Sequence, residues 1–305
     1  MLLKRAALGA VLAAALAFGG PDGGARLAEA VRPEAAMGGV PETRKVAARP
    51  KALEAKALDA KGLDRRLRGY LAGRVSGAGL MVLDRTTGLS YGFRRNEEFV
   101  TASAVKLDIL MVLLQRRQKE GGRLSADERY DAGIMIRESD NKSADRLFLR
   151  AGGATGVNAV NRRSFGLKHT TAIDARCLDL LCWSLTSTTP ADQVRLLQKL
   201  FTGPLSEANR RFVLDLMRTV VKEQRWGVGA AALEGDAVYN KNGWMTHQRD
   251  GDRWAVNSVG RIEGHGHDLL VAVMTSRNPS MGYGITTAER LVTEVADAFR
   301  KTTGP

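Results

Sequence analysis

The chain has 305 residues, enough for one large domain or two medium ones. Apolar residues make up 44 %, which supports a packed core and argues against a disordered chain. The net charge of +13 comes from dispersed basic residues with no zinc-finger spacing and no RNA-binding aromatic signature. That excludes nucleic-acid binding as the expectation, while a basic exterior favours anionic surroundings such as cell-wall polymers.

Lys4 and Arg5 precede an apolar run from Ala6 to Phe18, and Ala28-Glu29-Ala30 offers small residues for cleavage. This predicts a signal peptide over 1–30 and a secreted, extracytoplasmic product. No cysteine follows the apolar run, so a lipid anchor is not indicated. Residues 31–52 mix Ala, Gly, Pro and alternating charges, as a linker does, and the folded domain is expected over 53–303.

From Lys51 to Leu71 apolar residues recur at steps of three and four, predicting a helix. Two strands follow over 79–83 and 89–93, joined by the turn 84–88. Helices are predicted over 104–119, 127–137, 142–149 and 156–162. An irregular polar stretch over 169–189 precedes a helix that Pro190 opens, and another helix spans 205–221. The last third reads as strands over 237–241, 254–261 and 269–275, then an amphipathic helix over 285–300. Strands at both ends with helices between predict an α/β (α+β) fold: one antiparallel sheet made from both chain ends, flanked by helices, with an all-helical portion inserted.

Three short elements carry chemistry. Ser103 and Lys106 sit one turn apart at the start of a strongly apolar helix. Ser103 is a favoured N-cap type, and Lys106 would then be a surface lysine. On a buried helix, instead, the lysine is drawn inside, its pKa falls, and it can act as base to a serine nucleophile. In Ser139-Asp140-Asn141, either Asp140 or Asn141 can cap the next helix. Alternatively Ser139 relays protons while Asn141 holds Lys106 or the substrate. Lys241-Asn242-Gly243 contains the Asn-Gly hairpin signal. If the strand continues instead, Gly243 permits close backbone approach, the Trp244 amide can serve an oxyanion, and Lys241 sets a positive field for a carboxylate.

Ser-x-x-Lys, Ser-Asp-Asn and Lys-x-Gly in this order resemble the class A β-lactamases and their penicillin-binding relatives. The resemblance covers about Leu53 to Arg300. It implies the β-lactamase/transpeptidase-like fold and acylation of Ser103 by a β-lactam or peptide-like carbonyl, with Lys106, Ser139 and Lys241 handling protons and charge. Asn141, Asn242, Gly243 and Trp244 would contact the substrate. No cofactor or metal is implied, and a monomer is expected. Two departures stand out. Asn242 replaces the usual Thr or Ser, and the loop over 170–189 lacks the Glu that activates water in class A enzymes. Asp174 and Asp179 are its only carboxylates. A cell-wall peptidase or esterase, or a binding protein with a weakened site, are the alternatives.

Cys177 and Cys182 are the only cysteines, and can form a disulfide across a short loop or remain two buried thiols. His265-Gly266-His267-Asp268 lacks four-ligand metal spacing and fits a hairpin turn. Trp183, Trp226, Trp244 and Trp254 are expected in the core or on cleft walls. One of Arg249, Arg253, Arg261 and Arg277 is expected to bind a substrate carboxylate.

Overall fold

The computed structural model describes residues 57–302 other than 178 and 179, and omits the side chains of 176–180 and 249. The expected leader and linker lie outside the described residues. The first helix, α1 (Ala60–Ala72), starts later than the apolar spacing alone predicts. Asp59 is the reason: its Oδ1 accepts the Gly62 amide at 2.8 Å, and such a cap fixes a helix start.

The hairpin of β1 (Gly77–Asp84) and β2 (Ser90–Phe93) opens the sheet. β3 (Phe99–Val100) then leads into the helical region. That region comprises α2 (Val105–Lys119), α3 (Ala126–Arg137), α4 (Asn141–Arg150) and α5 (Gly153–Val160). After α5 come the two-residue strands β4 (Arg176–Cys177), β5 (Leu180–Leu181) and β6 (Ser187–Thr188), then α6 (Pro190–Thr202) and α7 (Glu207–Arg218). β7 (Ala237–His247), β8 (Arg253–Gly264), β9 (His267–Asn278) and α8 (Met281–Arg300) close the chain. Among the described residues no helix is long and apolar enough to cross a membrane.

The five-stranded sheet runs β2-β1-β9-β8-β7, antiparallel throughout. β1 pairs with β9 along its whole length, so the two chain ends build one sheet, as the element order predicts. Strand alternation splits the apolar side chains between two cores. On β9, Leu269, Val271 and Val273 pack against α1 and α8 through Leu63, Leu67, Leu291 and Phe299. Leu270 and Ala272 face the helical region. At its centre lies α2, buried without a break from Val105 to Gln115, its apolar run interrupted only by Lys106, Asp108 and Gln115.

The Asn-Gly signal is overridden. β7 continues through Asn242 and Gly243, which pair with Ser258 and Asn257, and the chain turns only at 248–251. Gly251 takes the left-handed conformation there, with φ 68°. The histidine segment forms the expected hairpin turn between β8 and β9, with His265 and Gly266 both at positive φ. His265 Nδ1 lies 2.7 Å from Asp236 Oδ1, and buried His267 Nδ1 lies 2.8 Å from Asp84 Oδ2.

Candidate active site

Ser103 sits in a 3₁₀ turn (Ala102–Ala104) that feeds directly into α2. Ala102 has φ 48°, an unfavourable backbone region for a residue with a Cβ. The turn is braced from outside. The Thr101 amide donates to the Thr186 carbonyl at 2.9 Å. Buried Asn257 donates through Nδ2 to the carbonyls of Val100 at 2.8 Å and Thr101 at 3.0 Å. Ser103 makes no cap. Thr101 precedes the turn and Ala104 precedes α2, which leaves the Ser103 hydroxyl half-buried on a cavity wall.

One turn on, Lys106 is fully buried. Its Nζ donates to the Ser139 carbonyl at 2.5 Å, to Ser139 Oγ at 3.1 Å and to Asn141 Oδ1 at 2.7 Å. Burial pushes the amine down to about 7, against the opposing pull of Asp140 and Asp145. Lys241 reaches the same hydroxyl from β7: its Nζ donates to Ser139 Oγ at 2.9 Å and to the Asn242 carbonyl at 2.7 Å. Burial, and then the nearby Lys106, drive Lys241 well below the ordinary lysine range. Two buried amines therefore converge on one serine oxygen. Ser139 itself is held at φ 62°. Asp140 is the helix cap, accepting the Ser143 amide at 2.7 Å, and Asn141 is the first residue of α4. Burial raises Asp140, but the Ser143 amide and hydroxyl, Lys106 and Arg146 outweigh it and lower its pKa.

Gly243 is required by contact. A Cβ there would lie 2.5 Å from the Ala104 nitrogen, 2.6 Å from the Thr101 carbonyl and 2.8 Å from the Ser103 nitrogen. β7 thus presses against the serine turn. Asn242 is buried, and its Nδ2 donates to the carbonyls of Gln224 at 2.9 Å and Trp226 at 3.0 Å.

The cavity at Ser103 holds about 130 Å3 and is lined by Ser103, Asn141, Leu181, Trp183, Ser184, Trp244 and Met245. Trp226 packs edge-on against Trp244, with ring centroids 5.9 Å apart. The sequence reading passed over Asp145, which joins α4 to the loop wall. Its Oδ1 accepts the Trp183 indole N–H at 2.6 Å and the Leu181 amide at 3.2 Å. The Trp183 ring in turn lies 4.9 Å from Lys106 Nζ. The available signal was helical spacing, since Asp145 lies four residues after Asn141 and shares its face.

Of the two loop carboxylates, Asp174 does not join this group. Exposed Asp174 accepts the Ala154 amide at 2.8 Å at the start of α5 and lines no part of the cavity. Asp179 lies outside the described residues. Cys182 is buried and disulfide-bonded, and the side chain of Cys177, the chain's other cysteine, is not among those described. Arg261 is tied to Asp268 at 2.6 Å and Glu263 at 2.7 Å, and neither it nor Arg253 or Arg277 lines the cavity.

The family model described as "Beta-lactamase enzyme family" matches residues 132–302. The chain belongs to that family. The matched stretch takes in the elements at Ser139 and Lys241 but begins after Ser103 and Lys106. Solved structures share the family's fold with this chain. PBP-A aligns at TM-score 0.67 and 22% identity, covering 79% of this chain and 96% of that one. A PBP-A mutant, solved as an acyl-enzyme complex with penicillin G, aligns at 0.68 and 21%, covering 79% and 97%. TLA-3 extended-spectrum beta-lactamase aligns at 0.68 and 20%, covering 78% and 98%. Among curated proteins, "Putative lipoprotein LppW" of Mycobacterium tuberculosis and of Mycobacterium bovis is 31% identical over 173 residues, which is 54% of this chain. The chain spans about half the length of these relatives (52%).

Proposed function

We propose that this family member is an extracytoplasmic serine hydrolase, acylated at Ser103 by a β-lactam or a related activated amide or ester. The observation that carries the reading is the convergence of Lys106 and Lys241 on Ser139 Oγ, one helical turn from a serine on the cavity wall. Lys106, neutral above about pH 7, takes the Ser103 proton as Oγ attacks the carbonyl carbon. The backbone N–H groups of Ser103 and Trp244 receive the oxyanion, an assignment supported by the close approach of Gly243 to the Ser103 turn. As the carbon–nitrogen or carbon–oxygen bond breaks, the proton passes from Lys106 through the Ser139 hydroxyl to the leaving atom. Water then releases the acyl group, returning a proton to Ser103.

Release is the slow step on this reading, because Asp174 is spent on the α5 start rather than on a water. A long-lived acyl-enzyme, as in a penicillin-binding protein, is therefore the second reading. Extracytoplasmic location is supported by the charged and apolar leader pattern and by the lipoprotein name of the mycobacterial relatives.

Intact-mass analysis after exposure to penicillin G tests the nucleophile. An adduct on the native chain and none on Ser103→Ala is expected. No adduct with any β-lactam or activated ester refutes the proposal. Turnover of a chromogenic cephalosporin then separates hydrolysis from persistent acylation.

A further inference from the structure

The walls of the Ser103 cavity bear on what enters it. None of its seven lining residues carries a charge, and four of them, Leu181, Trp183, Trp244 and Met245, are apolar. Trp226 continues the aromatic surface behind Trp244. The polar contribution is limited to the hydroxyls of Ser103 and Ser184 and the Asn141 amide.

Among the described residues, the lysines beside the cavity are already committed. The three protons of a Lys106 ammonium match its three acceptors on Ser139 and Asn141. Lys241 is fully buried between Ser139 Oγ and the Asn242 carbonyl, and burial drives both amines toward neutrality. Asn242, beside Lys241, spends its donors on the carbonyls of Gln224 and Trp226. Arg261 is locked to Asp268 and Glu263 on the sheet. A carboxylate placed here would lose water and find no cation with a free donor aimed at it among the cavity's described lining residues, whereas an apolar group would lose little.

The geometry points to an uncharged substrate: an ester or amide with an apolar acyl group and no carboxylate beside the scissile bond. This rests on the Ser103 acyl-enzyme reading and narrows its substrate class. The step is acyl transfer. The Ser103 Oγ–carbon bond forms, the bond to the leaving oxygen or nitrogen breaks, and the serine proton ends on the leaving group. Water hydrolyses the ester to the free acid.

The test compares penicillin G with its methyl ester, and adds p-nitrophenyl butyrate as an uncharged ester, all on the full chain with Ser103→Ala as control. The methyl ester should acylate Ser103 at least about tenfold faster than the free acid, a discrimination expected from desolvating an unpaired carboxylate. Met245→Arg, which places a cation on the cavity wall, should reverse the preference. Equal or faster acylation by free penicillin G overturns the inference while leaving the Ser103 reading intact. Loss of all Ser103-dependent acylation overturns the reading itself. If Met245→Arg does not fold, the native comparison alone decides.

Discussion

Replacing Asp108 by Asn should stabilise the protein at neutral pH and flatten its pH dependence. Asp108 lies two residues beyond Lys106 on α2 and is fully buried. Its Oδ2 accepts from Asn161 Nδ2 at 2.7 Å, while Asp108 Oδ1 and Asn161 Oδ1 have no hydrogen-bond partner among the described residues. Burial pushes the carboxyl from 3.8 up to about 7, and the negative charge of Asp192 adds to the rise against the Asn161 hydrogen bond. The folded state therefore holds the proton more tightly than the unfolded chain. The site costs nothing below the unfolded value, and stability falls as pH rises from about 4 to about 7. Above that window the cost levels off at about 4 kcal/mol, since each pH unit of displacement is worth about 1.4 kcal/mol. Asn keeps the shape and one acceptor and removes the titration. Urea denaturation of both proteins at about pH 4.5 and about pH 8 should show the stability difference growing by about 3 kcal/mol in favour of Asp108→Asn. Parallel pH–stability curves would refute the argument.

Asp145→Asn should shift the pH–rate profile for acylation of Ser103. The native profile should rise through about pH 7 as Lys106 loses its proton, and removing a carboxylate that holds Lys106 up should move the midpoint lower. A stopped-flow profile that keeps its midpoint would assign Asp145 a purely mechanical role at Trp183. Gly243→Ala should lower the acylation rate by about 10²-fold or more, because the new Cβ displaces the Ser103 nitrogen from its place beside β7. Circular dichroism should show the fold retained, and an unchanged rate would remove the Ser103 amide from the proposed oxyanion site.

The fold was legible because its signals are local and consistent. Period-two strands at both ends and an α2 with a broad apolar face dictate a sheet closed by distant segments around a buried helix. The three short elements were equally legible as one cluster, but not as conformation. Asn242-Gly243 has the local preferences of a turn, yet pairing with Ser258 and Asn257 and contact with the Ser103 turn make it strand. Tertiary contact outweighs a turn preference worth about 1 kcal/mol. Asp145 and Asn257 were invisible for the same reason. One is an ordinary helix residue and the other an ordinary strand residue until folding brings Trp183 to the first and the Val100 and Thr101 carbonyls to the second.

Ser139 shows why these parts belong to one another. A serine in the left-handed region costs roughly 1–2 kcal/mol, and here the cost falls at the one position where a hydroxyl touches both amines. Its two lone pairs are taken by Lys106 and Lys241, so its own proton must be directed elsewhere. Two ammonium groups sharing one oxygen in a buried site repel each other, and both lysines are pushed down in consequence of burial and, for Lys241, of that neighbour. Such a cluster accepts one proton readily and a second only at low pH. A structural network would be better served by one lysine and one carboxylate, which attract. Two amines joined through a hydroxyl are poorly suited to holding the fold together and well suited to receiving a proton at one end and delivering it at the other.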